Sequence, residues 1–527
     1  MGQNFISLVL HAHLPFIRHP EYPDFLEERW LFEALSESYI PFLDALRRLE
    51  SERVPFRLTV SISPTLQAML SDTLLKERYV AYLERQIGFA DREIERARDD
   101  LPRQALARMY AELYEGARKS YLEEYDGNIL KGFDFFYKKG RLELITTTAT
   151  HAFLPALADS PESLSAQVEA AVISHRKNFG RNPQGLWLPH LGYFPRLERI
   201  LKSYNLSYAI VDPRSVLWGE PAPFAATYAP VRCPNGFVVF PRDRESACAV
   251  CDPKEGYPAA PRYRDFYRDL GYELPDDQVR EFLPDGKTRV PTGFKYRAIG
   301  RDGQELYDRS QAMAQAAEHA SNFVYKRILG LGLAAAEMER PPLALCCYDM
   351  ELLGHWWFEG IAWLEAVLRE LASRPAELRS LSPSDYLAGE GELQMLQPEA
   401  ASWSDDGYSS QWTEGGNAWV WRHIAKAAQR MIELAERFPN ENGLKERALN
   451  QAAREVLLAQ SSDWPFLMRA EASAGFARAQ LEDSLTNFNR IYDMLSRNAI
   501  ATEWLTRLEK RNNIFPFINY RMYRKKK

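Results

Sequence analysis

The sequence predicts an α/β fold: a seven-stranded β/α barrel carrying an inserted helical domain and a C-terminal helical domain. Three observations carry this expectation. Seven short apolar segments, rich in β-branched residues, punctuate roughly the first two thirds of the 527 residues. Helix-patterned stretches lie between most of them, and strands that alternate with helices build parallel sheets from βαβ units. The segments are apolar almost throughout, which suits strands covered on both faces.

The first segment, Phe5–Leu10, comes after Met1-Gly2-Gln3-Asn4 without a basic n-region and runs into His11-Ala12-His13. It reads as a buried strand and not as a leader. The second is Phe56–Ile62. The chain over 65–127 then turns dense in Glu, Arg, Ala and Leu, as in Ala105-Leu106-Ala107-Arg108-Met109, and reads as the helical domain inserted between strands two and three. Further strands are expected at Leu142–Thr148, Gly185–Leu188, Tyr208–Val211, Phe237–Phe240 and Leu343–Cys347, with helices at Ser165–Asn178 and Pro195–Ser203. Cys251–Pro291 has little periodicity and reads as a long loop excursion. The barrel domain is thus expected over 1–400. Over 401–527 the amphipathic runs Ile424–Arg437, Leu444–Gln460, Phe476–Arg497 and Thr502–Arg511 make the C-terminal helical domain. The basic end, Tyr523 to Lys527, reads as a frayed tail.

Composition narrows the function. A net charge of −6 and a pI near 6.0 argue against nucleic-acid binding, which needs a basic face. No apolar run is long enough for a bilayer, so no membrane association is expected. Five cysteines in so long a chain do not make a disulfide scaffold, and a reducing cytoplasm is the expected location. Cys248-x-x-Cys251 lacks a partner pair and reads as two loop thiols.

The residues at the C-terminal end of each strand carry the chemistry. Strand one ends in His11 and His13, strand three in His151, strand four in His190, strand five in Asp212, strand six in Arg242 and Asp243, and strand seven in Asp349 and Glu351. In β/α barrels the C-terminal strand ends converge on one face, where active sites are built. A polar residue at one such end is ordinarily a cap; six ends doing it together point to one site. Trp30, Trp187, Trp356, Trp403 and Trp412 add indoles near strand ends or in the early C-terminal region. Trp403 sits in the polar, Gly-containing loop Ser402–Tyr408. Aromatic faces beside carboxylates, Arg and His suit sugar rings, which have apolar C–H faces and polar rims.

Together these segments resemble the motifs of glycoside hydrolase family 57. His11-Ala12-His13-Leu14-Pro15 is similar to the family's first region, Gly140 through His151 to the second, and Gly185-Leu186-Trp187-Leu188-Pro189-His190-Leu191-Gly192-Tyr193 to the third. Tyr348-Asp349-Met350-Glu351-Leu352-Leu353-Gly354-His355-Trp356-Trp357-Phe358-Glu359-Gly360 is similar to the fourth. Phe25–Ala34 and Ala459–Trp464 point to the α-glucan branching-enzyme and α-amylase-like subgroup. The resemblance implies a retaining reaction on α-1,4-glucans such as glycogen, amylose or maltooligosaccharides, without a cofactor. In it a glutamate attacks the anomeric carbon and an aspartate protonates the leaving oxygen. Asp349 matches that aspartate. His11, His13, His151 and Trp30 would line the donor subsite, and Trp187, Asp212, Arg242, Tyr296, His355, Trp356, Trp403, Trp412 and Asp463 are the further expected substrate contacts.

The chain departs from the pattern at three points. His190 stands where the family keeps its nucleophilic glutamate, Arg297 where branching enzymes often carry an aromatic, and Cys251 where relatives tend to have Trp. Four readings stay open: a catalytically inactive glucan-binding protein; weakened activity, or activity through Glu351 or Asp212; a metal-dependent hydrolase using His11, His13, His151, His190 and Asp349; and a purely structural protein.

Overall fold

The computed structural model describes residues 4–525, apart from Asp285, Arg301, Glu390 and Glu414. Met1–Gln3 and Lys526–Lys527, included in the readings of the two chain ends, lie outside the described residues. Among the described residues nine strands form: β1 (Asn4–Ala12), β2 (Leu58–Ile62), β3 (Leu142–Ile145), β4 (Gly185–Trp187), β5 (Tyr208–Val211), β6 (Val231–Arg232), β7 (Val238–Pro241), β8 (Leu343–Asp349) and β9 (Leu378–Ser380). All seven expected segments are strands. β6 and β9 are additions of two and three residues, too short to leave a hydrophobic pattern.

The strands make two sheets. One has the order β3-β2-β1-β8, all parallel, with β9 beside the first residues of β1. The other runs β4-β5-β7 in parallel, with the short antiparallel β6 at its edge. Hydrogen bonds link the two at both sides. The Trp187 N–H donates to the Thr146 carbonyl (2.8 Å), and the Asp243 N–H at the end of β7 donates to the Leu345 carbonyl in β8 (2.7 Å).

Alternate strand residues fall into two cores, which explains the nearly continuous apolar runs. Leu8, Leu10, Leu58, Val60, Leu142, Leu144, Val211 and Val239 pack with the helices. Val9, Ile145, Trp187, Ile210, Phe240, Leu345 and Cys347 form the second cluster, shared between the two sheets.

Between β2 and β3 the chain forms the expected helices, chiefly Pro64–Ser71, Thr73–Arg96, Leu101–Lys119 and Leu130–Lys138. Ser63, Asp72 and Asp100 cap the first three, each accepting from a backbone N–H three residues on. The C-terminal helices are Ala418–Arg437, Gly443–Ala459, Glu471–Ser496 and Thr502–Arg511.

Two expectations need correction. Segment 251–291 is not plain loop: it holds helical turns at Leu270–Glu273 and Asp276–Val279, anchored by the Asp269 carboxylate, which accepts from the N–H groups of Gly271, Thr292 and Gly293. The described part of the C-terminal tail is not frayed. Tyr520, Met522 and Tyr523 are buried, and the Lys525 N–H donates to Glu436 at 2.8 Å. Among the described residues no helix is long and apolar enough to cross a membrane.

Candidate active site

Strand register assembles the centre of the site. His11 is paired with Ser61 of β2 on one side and with Asp349 of β8 on the other. The residue directly after β1, His13, lies on His151, the two rings stacked with centroids 3.9 Å apart. His11 lies flat on Trp187 (4.6 Å, 8°), and its Nε2 is 3.1 Å from His151 Nε2. His190 stacks on Trp412 at 4.3 Å and meets the edge of His151 at 5.0 Å. His151, His190 and Leu191 all hold positive φ (54°, 56° and 52°), a backbone conformation that costs side-chain-bearing residues of order 1 kcal/mol or more. Strained residues of this kind cluster at sites where position matters more than stability.

The hydrogen bonds determine where the ring protons are. Ser462 Oγ donates its single proton to the His151 carbonyl. Two imidazole nitrogens also face that oxygen, His151 Nδ1 (3.1 Å) and His190 Nε2 (2.8 Å). With its proton committed, Ser462 can only accept from both, so each of these nitrogens carries a hydrogen. His151 Nε2 is then a lone pair and accepts from His11 Nε2–H. That leaves His11 Nδ1 to accept from the Ser61 hydroxyl (3.1 Å). His190 is accordingly held as a donor through Nε2, with its lone pair on Nδ1.

Burial keeps these rings neutral. It lowers His11 and His151 well below the usual histidine range, helped by repulsion from neighbouring imidazoles. It pulls His190 down to about 3, with Asp463 opposing. Burial alone would raise Asp463; the charge and hydrogen bond of His13, with the Ser461 hydroxyl, bring it below its ordinary value. Asp463 accepts His13 Nε2–H on both oxygens (3.0 and 3.1 Å). Asp349 is raised by burial, against the pull of Arg242 and His13. Glu351 is pushed up to about 7, mainly by burial and further by Asp349, while accepting from the Tyr39 hydroxyl and the His13 N–H. Arg242 lies over the Trp403 ring at 5.6 Å, and the Trp403 backbone N–H donates to the His190 carbonyl.

Several expected residues are engaged elsewhere. Asp212 caps the helix Pro213–Leu217 and binds Arg214 bidentately (2.7 and 3.2 Å). Arg214 in turn holds the Ser402 and Ser404 carbonyls, so Asp212 braces the Trp403 loop and is badly placed to replace a nucleophile. Asp243 caps its own helix and pairs with Arg327. His355 is bound to Glu37 at 3.1 Å, and Trp356, half exposed, stacks on Phe266 at 4.2 Å. Trp30 meets Phe476 edge-on at 6.0 Å. Tyr296 does not join the histidines: it packs on Tyr110 and lines a separate cavity of about 470 Å³ with Glu93, Arg96 and Arg268. One of the open readings named His11, His13, His151, His190 and Asp349 as metal ligands. The donors that converge within 4.8 Å are His13, His151 and Asp463, whereas His190 is tied to Ser462.

Ser462, Ser61 and Tyr39 were missed by sequence reasoning. Strand two ends in hydroxyls, which look like ordinary cap residues, and Ser462 gave no signal beyond its place next to Asp463.

A parallel α/β protein with imidazoles, indoles and carboxylates gathered at its strand ends is the class these observations define. The family description "Glycosyl hydrolase family 57" matches residues 7–247, and "1,4-alpha-glucan branching enzyme, C-terminal" matches residues 423–523. The α-amylase AmyC of Thermotoga maritima superposes with a TM-score of 0.94 at 35% identity, over 100% of both chains. The family 57-type branching enzyme of Pyrococcus horikoshii gives 0.89 at 29%, covering 99% of this chain and 97% of that one. A 1,4-alpha-glucan branching enzyme of Thermococcus kodakarensis is 29% identical over 97% of this chain and 77% of its own length. The chain belongs to glycosyl hydrolase family 57.

Proposed function

We propose that the chain is a branching-enzyme-type α-glucan protein that binds α-1,4-glucan at the strand-end cluster, with Asp349 as general acid/base. Because His190 takes the nucleophile position, its turnover is reduced or lost. The observation that carries this is the register of β1 and β8, which pairs Asp349 with His11 inside a ring of histidines and tryptophans. Burial raises the Asp349 carboxyl, as an acid catalyst needs. His190 is a poor substitute for a carboxylate. A glycosyl-imidazolium would place positive charge beside an oxocarbenium-like transition state, and its Nε2–H is spent on Ser462.

Glycogen, amylose and maltooligosaccharides are the glucans this reading covers, in a cytoplasmic setting. The seven parallel strands act in it as one closed barrel over 1–400, supported by the Trp187–Thr146 and Asp243–Leu345 hydrogen bonds, with 65–127 inserted and 401–527 as the helical domain.

The test is amylose incubation and then debranching and chain-length analysis, for the native chain and for His190→Glu. The native chain is expected to bind glucan and form few or no new α-1,6 links, and His190→Glu to gain transferase or hydrolase activity by orders of magnitude. No glucan affinity in the native chain, or no gain in the variant, overturns the reading.

A further inference from the structure

We propose that His13, His151 and Asp463 form a binding site for one divalent transition-metal ion of the zinc type, at the centre of the imidazole cluster. Their donor atoms already lie within 4.8 Å of one another, and the three come from separate places in the chain: the end of β1, the loop after β3, and the helix Asp463–Leu467. Two imidazoles and one carboxylate are a donor set that borderline cations favour over magnesium or calcium.

The His13–Asp463 separation suits a coordination sphere as well as it suits a hydrogen bond. Tetrahedral zinc with nitrogen ligands at about 2.0–2.1 Å places adjacent donors roughly 3.3 Å apart. His13 Nε2 is 3.0 Å from one Asp463 oxygen, and the His151 donor lies within 4.8 Å of both.

The proton inventory also allows it. His151 Nε2 is the lone-pair nitrogen, and its opposite nitrogen donates to Ser462, which orients the ring as outer-shell partners of metal-bound histidines do. His13 can move its proton to Nδ1, where Thr65 Oγ1 lies 3.4 Å away; Thr65 donates to the Leu14 carbonyl and so is free to accept. His11 can likewise shift its proton to Nδ1, where the Ser61 oxygen can accept it. That shift leaves the His151 Nε2 lone pair unshared and available to the ion. An ion bound here would keep a coordination position for water or a sugar hydroxyl.

This site goes beyond the glucan reading and stands or falls separately, because metal and glucan binding are measured on the same chelator-treated, full-length protein. Titration with zinc in a calorimeter should show about one equivalent per chain, and cobalt should bind competitively with the absorption of a tetrahedral site. His13→Gln and Asp463→Asn should each weaken zinc binding by at least about tenfold. His151→Gln is the third probe, and thermal unfolding without metal confirms that each variant tested is folded. No saturable zinc binding, or the same affinity in the folded variants as in the native chain, overturns the site. Glucan affinity without zinc binding would leave the proposed function standing and remove only this inference.

Discussion

Two buried polar regions of this molecule solve the same problem in opposite ways. Around Arg264 the central charges are paired. The guanidinium pairs with Glu37 (3.2 Å), donates to the Tyr110 hydroxyl and the His355 carbonyl, and lies on the Phe358 ring at 4.0 Å. Lys295 faces Asp269 close by, and Arg264 and His355 hold Glu37 down to about 2 against burial. In the strand-end cluster the imidazoles of His11, His151 and His190 are instead kept neutral, and the carboxyls of Asp349 and Glu351 are raised. Paired ions lock elements together. Neutral rings and raised acids are free to hydrogen-bond sugars or to hold a cation, which is what a site requires.

The largest effect expected is at the paired region. Arg264→Leu would take from the buried Glu37 its main counter-charge, leaving only His355 and the more distant Lys295, and should cost about 3–5 kcal/mol in denaturant unfolding. A loss under about 1 kcal/mol would erase the contrast. In the cluster, Ser462→Ala removes the acceptor shared by His151 and His190 and should cost about 1–3 kcal/mol. Nitrogen NMR of the histidine rings should then show His190 no longer fixed with its hydrogen on Nε2; an unchanged tautomer would contradict the proton inventory.

The pH dependence separates the two kinds of group in the cluster. His190 and the partnerless buried His175 are both lowered to about 3, so below the unfolded value of 6.5 the unfolded chain binds more protons. Stability should therefore be complete above pH 6.5 and fall as pH drops toward 3. His175→Leu should flatten that acid limb. Glu351 works the other way. Its pKa is raised from 4.5 to about 7, so it subtracts stability as pH rises through that window, by ~3 kcal/mol at most. Glu351→Gln should remove that loss, and urea midpoints from pH 4 to 8 that keep the native slope would count against it. The smallest effect belongs to the exposed ion pairs: Lys138→Ala, which breaks the helical pair with Asp134, should change stability by less than about 0.5 kcal/mol.

Much of the frame was legible because burial on both faces leaves a continuous apolar signature. β1, β2 and β8 are recognisable from their runs alone, and Thr502–Arg511 from its amphipathic period. β6 and β9 were not, since two or three residues carry no period. Tyr523 shows the same limit at the chain end: its basic neighbours suggested a frayed tail, but its ring is buried and packs in the core beside the helix Pro161–Phe179 and the C-terminal helices.

The sequence by itself determined seven of the strands, the helix-rich stretch between β2 and β3 and the polar residues at the strand ends, because hydrophobic period and local chemistry are written along the chain. Which of those end residues share one cluster was decided only by the tertiary structure. Asp212 and Asp349 look alike in sequence, yet one is bound by Arg214 and the other lies in register with His11. The same holds for His190, whose ring proton is assigned by Ser462, a residue 272 positions away. Contacts of that range depend on how the strands and the C-terminal helices meet, and no local pattern encodes them.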